Sequence, residues 1–333
     1  MKGIIVSVIL VYMLFLFVVA YLSNRKIKNN EDYLVAGRTL GPIIVACTIS
    51  ATEIGGGSSL SIIEKSYGEW GFSAIWYILA MSVAFACIAI IAPKIRLVRV
   101  KTIPEFFRRR YNEDTALLTS IIMIFPLVGL AASQLIVAGS VLSTFIGINY
   151  HVAVVLIAIT IIAYTSMGGF YGVARANIFQ LVVLVAGMFF TAVFMISNFS
   201  SINGTIIDGF NLSMFFKNRM GIKTVLSLIV MYVASFSVGQ EILPGFYASK
   251  SLSMARKASG FAAIINTIYA FLPVTIGMLF IYYFTNFAVD SDMMVSGDVS
   301  AVSAVVLADS VPAVVAALFF TGILAATMSS ADS

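Results

Sequence analysis

Nine apolar runs divide this sequence and leave it few folds. They fall at 4–22, 41–66, 72–93, 116–147, 152–167, 176–197, 223–240, 258–286 and 301–333. A helix needs about 20 mostly apolar residues to cross the hydrocarbon of a bilayer. In lipid every backbone N–H and C=O must be satisfied within the chain, so continuous runs of this kind form helices and not open strands. Composition agrees: 60% of residues are hydrophobic and only 11% charged, where a soluble domain carries about 25% charged. So few charges cannot cover a water-facing surface. The expectation is an all-α membrane protein with about nine transmembrane helices, and lipid as its principal partner.

The net charge of +5 raises the question of a nucleic-acid partner, which the placement of the charges excludes. Fifteen of the 20 Lys and Arg lie in alternate short connections: Arg25, Lys26, Lys28 and Arg38; Lys94, Arg96, Arg99, Lys101 and Arg108 to Arg110; Arg175; Lys250, Arg256 and Lys257. This is the pattern of cytoplasmic loops in the positive-inside rule. It sets the N-terminus outside and predicts a multi-pass protein of the plasma membrane. The basic cluster follows the first apolar run instead of preceding it, so that run reads as an uncleaved anchor and not a signal peptide.

The connections carry a few local signals. Thr102-Ile103-Pro104-Glu105 has the cap and early proline of a short surface helix. The stretches 198–222 and 285–300 are polar or acidic, and Asn203-Gly204-Thr205 matches a glycosylation sequon. Cys47 and Cys87 lie in apolar runs and read as small buried hydrophobes. His151, at a helix boundary, reads as interfacial, and no Cys/His spacing resembles a metal site. The last run passes into Ser329-Ser330-Ala331-Asp332-Ser333 without Gly or basic flank, which suggests that the chain stops at the end of a spanning helix.

The second run is the least regular. It reads Ser50-Ala51-Thr52-Glu53-Ile54-Gly55-Gly56-Gly57-Ser58-Ser59. Each glycine costs a helix about 1 kcal/mol relative to Ala and lets the backbone turn its polar groups toward a ligand. Two readings follow: a discontinuous helix forming a substrate and ion site, or close helix packing through small residues. Glu53 is the one acidic residue deep in an apolar run. A charge there costs at least about 2.5–3.5 kcal/mol and normally faces a cavity or a partner. Glu53 is suited to attracting a cation, carrying a proton or capping the broken helix. In the ninth run, Ser329 and Ser330 either bond back to their own helix or offer hard oxygen ligands to a cation. Gln134, Asn177, Gln180 and Asn266 are further polar residues near mid-membrane, read chiefly as packing hydrogen bonds.

Four stretches together resemble the sodium:solute symporter family. They are Glu31-Asp32-Tyr33-Leu34-Val35-Ala36-Gly37-Arg38, Ser50 to Gly56, Tyr164-Thr165-Ser166-Met167-Gly168-Gly169-Phe170 with Gln180, and Gly322 to Ser330. The resemblance runs in order along the chain. It implies a leucine-transporter-like inverted-repeat fold: a leading helix and loop (1–40), a first five-helix repeat (41–199) and a partial second repeat (200–333), all one transmembrane domain whose later helices are absent. It implies a sodium site built from the carbonyls of Ala51, Ile54 and Ala326 with the hydroxyls of Ser329 and Ser330. A small organic solute would bind beside it at Glu53, Gly55, Gly56, Gly57 and Ser58. Gly57 stands where family members that carry proline have Trp, which argues against proline. Gly172 also departs from the family's usual Ser, Ala or Pro.

The expected function is sodium-coupled import of a small organic solute by alternating access, with Na+ as coupling ion and no enzymatic activity. The alternatives are a proton-coupled transporter of the same architecture, with Glu53 as carrier, and a membrane sensor or scaffold that does not transport.

Overall fold

A computed structural model describes residues 2–67, 70–199, 220–286 and 311–333. Among them nearly every residue is helical, and the one β-bridge pairs Leu40 with Ser249. Helix α1 spans Lys2–Asn24, α2 Asn30–Val35, α3 Pro42–Glu53, α4 Gly56–Tyr67, α5 Ile75–Leu97 and α6 Ile103–Arg110. Then come α7 (Glu113–Ile146), α8 (Tyr150–Phe199), α9 (Ile222–Val238), α10 (Leu243–Tyr247), α11 (Leu252–Asn286) and α12 (Ala313–Asp332).

The nine apolar runs each find a place in this order. The second run is split into α3 and α4, whose axes bend by 60°. The fifth and sixth runs are the two arms of α8, separated at Gly169, where φ is 50° and ψ is −160°. The first part of the ninth run, 301–310, lies outside the described residues. So do most of the expected external stretches, with the sequon Asn203-Gly204-Thr205.

Local chemistry sets the boundaries. The Asn29 side chain accepts from the backbone N–H of Asp32, and that of Asn112 from Thr115, each capping orphan amides at a helix start. Gly147, in the left-handed region at φ 76°, ends α7. Thr102 caps α6 as expected, accepting from the Glu105 N–H. Glu105 in turn accepts from the Lys101 backbone N–H (2.7 Å) and pairs with Arg109. Burial pushes the Glu105 carboxyl up, but these bonds outweigh it and hold the group below the usual carboxylate range.

The basic connections meet at one end of the molecule. Arg38 donates to the carbonyls of Tyr247 (3.1 Å), Arg99 (3.0 Å) and Val100 (3.3 Å) and pairs with Glu31. Arg96 donates to the Ser249 carbonyl, and Thr39 shares a 2.8 Å hydrogen bond with Tyr171. The connections grouped by charge in the sequence are therefore grouped in space.

Helix α12 is buried along almost its whole length, from Ala316 to Ser330. It is apolar on every side, as a helix enclosed by others must be, and it packs against α8, α1 and α7. The outer face, by contrast, shows large apolar side chains such as Leu117, Ile121, Phe125 and Val128 on α7, the surface lipid would cover. Cys87 belongs to that face. It is exposed, so the expectation of a buried cysteine fails there, because its stripe of α5 points away from the bundle. His151 is exposed at the start of α8, edge-on to Tyr150.

Gly169 allows the sharp turn in α8. A Cβ there would meet the Tyr33 ring at 2.8 Å and the Tyr33 carbonyl at 3.0 Å, in a backbone conformation essentially reserved for glycine. Gly169→Ala is expected to destabilise the protein by about 1–3 kcal/mol, seen as a lowered melting temperature in detergent. Gly71→Ala shares the positive φ but has open space around it, so it is expected to cost less. Equal melting of Gly169→Ala and the parent chain would contradict the packing described.

Candidate functional site

Helix α3 stops because its backbone leaves helical geometry at Ile54 (φ −80°, ψ 72°). The Ile54 N–H still reaches the Ser50 carbonyl (2.9 Å), while the Gly55 N–H turns to the Glu53 carbonyl (2.9 Å). Helix α4 then restarts at Gly56, with the hydroxyls of Ser58 (2.9 Å) and Ser59 (2.8 Å) donating to the Gly55 carbonyl. Ser59 also shares a 2.7 Å bond with Tyr269 of α11. The broken-helix reading holds.

The end of α12 lies against the break. The Ser329 hydroxyl donates to the Ala51 carbonyl (2.8 Å) and the Ala326 carbonyl (2.9 Å), and Ser330 to the carbonyls of Thr52 (2.7 Å) and Ala326 (3.1 Å). Both serines thus bond back to their own helix and across to α3. Four of the five expected ion-binding residues (Ala51, Ala326, Ser329 and Ser330) form one cluster. Among the described hydrogen bonds none joins the Ile54 carbonyl to it, and Thr52 supplies the neighbouring oxygen.

The cluster's chemistry fits a small hard cation. All its oxygens are neutral, and neighbours sit about 3 Å apart, close enough to surround one ion at the roughly 2.3–2.6 Å that hard cations keep from oxygen. A serine that donates to a carbonyl can rotate its proton away and present a lone pair.

Beside the cluster opens a cavity of about 950 Å³, lined in part by Glu53, Gly55, Gly57 and Ser58, four of the five expected solute-binding residues. Gly56 is not in its lining. A Cβ on Gly56 would fall 2.3 Å from the Thr327 methyl and 2.6 Å from the Ile323 carbonyl, so that residue allows α4 to press against α12. The break and the close packing thus both occur at the glycine triplet, one residue apart.

Other residues enter the site without having been expected there. Glu241 lines the cavity from a second interruption, between α9 and α10. Gly239 before it and Pro244-Gly245 after it were the legible signals. Asp332 accepts from the Tyr164 hydroxyl and from Ser333 (3.3 Å), and the Thr52 hydroxyl reaches Ser333 at 2.7 Å. Of the other mid-membrane polar residues, Gln134 lines the cavity. Gln180 donates to Tyr12 (3.0 Å), and Asn266 to Ser50 (3.0 Å) and to Ala262 (2.8 Å). Asn177 is fully buried.

A model of the sodium:solute symporter family matches residues 33–333. The sodium/proline symporter of Staphylococcus aureus (strain bovine RF122 / ET3-1) is 27% identical over 190 residues, covering 54% of this chain and 37% of that protein. Its counterpart in strain JH9 is 26% identical over the same length. The match thus spans little more than a third of these relatives. Among solved structures, a substrate-bound outward-open state of a Na+-coupled sialic acid symporter gives a TM-score of 0.84 at 21% identity, covering 99% of this chain and 70% of that one. This likeness shows that the fold is leucine-transporter-like.

The packing of the glycine triplet separates two substitutions. Gly56→Ala drives a methyl into the α12 backbone and is expected to cost about 1–3 kcal/mol as an overpacking change. At Gly57 a Cβ has only Val137 for company, at 3.5 Å, so Gly57→Ala is expected to melt within a few degrees of the parent. Melting curves in detergent check the order, and the reverse order would contradict the geometry.

Proposed function

The chain belongs to the sodium:solute symporter family, and from that membership we propose that it takes up a small organic solute together with sodium by alternating access. The observation that carries this reading is the bridge from Ser329 and Ser330 to the carbonyls of Ala51 and Thr52. It joins a helix break to a buried helix at the edge of a large cavity.

We assign the sodium to the oxygens of Ala51, Ala326, Ser329 and Ser330, with Ile54 the fifth ligand once its carbonyl turns inward. Glu53, Gly55, Gly57 and Ser58 face the solute. Such a site works because the ion and α3, α4 and α12 stabilise each other: ligand oxygens from two elements converge only when the break sits against the serines. A conformational change can be driven only by the difference in affinity between states, and this bridge is where sodium supplies that difference.

The two ends of the molecule support alternating access. The end carrying the basic connections is tied together by Arg38, Arg96 and Thr39. The cavity reaches Lys65 and Trp70 at the other end of α4. In this reading the basic end is cytoplasmic by the positive-inside rule, the N-terminus lies outside, and the cavity faces outward across the plasma membrane.

The domain plan follows from the same fold. We place 1–40 as a leading helix and loop, 41–199 as the first repeat and 200–333 as part of the second. The interruption at Ile54 opens the first repeat and that at Gly239 to Ile242 lies in the first helix of the second. Interrupted helices at corresponding positions of two repeats are the usual place for substrate and ion.

The test is binding of radioactive sodium to the purified chain. Ser329→Ala/Ser330→Ala removes two ligand oxygens and is expected to raise the half-saturating sodium concentration about tenfold or more, a loss of ~1.4 kcal/mol or above. Unchanged sodium binding in a double variant that melts like the parent would count against the site. Solute uptake that persists when potassium replaces sodium at fixed pH would instead favour proton coupling through Glu53.

A further inference from the structure

The solute cavity is unusual in its charge. Besides Glu64, next to Lys65 toward the far end of α4, two carboxylates line it, Glu53 from the first helix break and Glu241 from the second. Among the described residues neither is joined to Lys or Arg by a salt bridge. The one basic residue in the lining, Lys65, stands at the far end of α4 with its ammonium 5.4 Å from the centre of the Trp70 ring.

Gln134 is an independent sign of a missing partner. It is 6% exposed, and its Oε1 accepts no hydrogen bond. The amide points at the break: a Cβ on Gly55 would lie 2.9 Å from that oxygen. A buried acceptor left without a donor is destabilising, so something that enters the cavity is expected to donate to it.

Resting on the sodium-coupled reading above, we propose that the solute is an organic cation bearing N–H donors, an amine or guanidinium without a free carboxylate. One sodium at the α3–α12 bridge balances one of the two carboxylates. With both carboxyls ionised one negative charge remains, and in a site of low dielectric it calls for a second positive charge. Among the polar groups at the breaks, Glu53, Glu241 and Gln134 Oε1 offer acceptors, and a donor-rich cation satisfies all three. The apolar part of the lining suits it too. Tyr77 and Tyr232 stand edge to face with centroids 5.8 Å apart and both border the cavity, offering ring faces to a cation. A carboxylate solute would meet like charges, and among the described residues no guanidinium or ammonium stands at the break to receive it.

The experiment is ligand-induced thermal stabilisation of the purified full chain in sodium and in potassium, with ethanolamine and agmatine as cationic probes and proline and pyruvate as carboxylate probes. The cationic probes are expected to raise the melting temperature in sodium and the carboxylates to leave it unchanged. Glu241→Gln is expected to weaken binding of the cationic probe by about tenfold or more, with sodium half-saturation moving less than about twofold. Should Glu241→Gln not purify, Gln134→Met is expected to weaken the same binding about fivefold. Stabilisation by proline or pyruvate alone, or by neither class while radioactive sodium still binds, overturns the proposal. Stabilisation by the cations to equal extent in sodium and potassium keeps the solute class and sinks the sodium-coupled reading instead.

Discussion

A helix broken inside a bilayer leaves carbonyls and amides without partners where no water can replace them. The architecture around the site answers that constraint. At Ile54 the chain departs from helical geometry, and two hydroxyls from α12 reach across to the freed carbonyls of Ala51 and Thr52. Their reach requires α12 to pass within contact of α4, which only a glycine at position 56 permits. It also requires α12 to be enclosed, since its serines must stay away from lipid. The burial of α12 from Ala316 to Ser330 is thus a consequence of the break as much as of apolar packing.

At the proposed sodium site, the same bonds that satisfy the break would make it sensitive to an ion. In the described arrangement the serine protons occupy the carbonyl lone pairs that a cation would use. Exchanging two hydroxyl donors for one cation changes what holds α3 against α12, without requiring either helix to refold. In the proposed function that is a physical basis for coupling: an ion would compete with internal hydrogen bonds for the same oxygens, so occupancy and local geometry could not vary independently.

Much of this was legible in the sequence, for identifiable reasons. Apolar runs of membrane length have one backbone solution, so the helices appear where the runs do, down to the turn at Gly169 between the fifth and sixth. The Gly55-Gly56-Gly57 triplet pointed to a break or to close helix packing, because three poor helix formers at mid-membrane call for one or the other. Sequence reasoning could not divide the labour among those glycines. Which one faces the cavity and which faces α12 depends on the angle at which α12 crosses. It also stopped one residue short at the seventh run, which ends at 240 on hydropathy alone and leaves out Glu241. That carboxylate belongs to the site only because the chain interrupts its helix at Gly239 and folds α10 back on α3, where Gly245 approaches the Ile49 methyl at 2.7 Å, measured from its would-be Cβ. The partner of Ser330 was likewise out of reach, since Thr52 and Ile54 differ by half a turn around a helix that has already begun to unwind.

The two breaks differ in what holds them, and the difference bears on motion. The first is fixed by hydroxyls donated from α12, in a buried setting where each bond is hard to exchange for water. The second sits next to Gln240, whose side-chain oxygen accepts from the Ile103 N–H at 2.9 Å, and its short helix α10 runs directly into the Ser249 and Lys250 backbone that bonds with Leu40, Arg96 and Arg38's neighbours. Any shift of the second break is therefore transmitted to the end bridged by Arg38. Those bridging bonds involve exposed or partly exposed groups, and water can substitute for them at modest cost. At the basic end the Arg38 bonds are thus the exchangeable ones, while the Arg96–Ser249 bond is buried like those at mid-membrane.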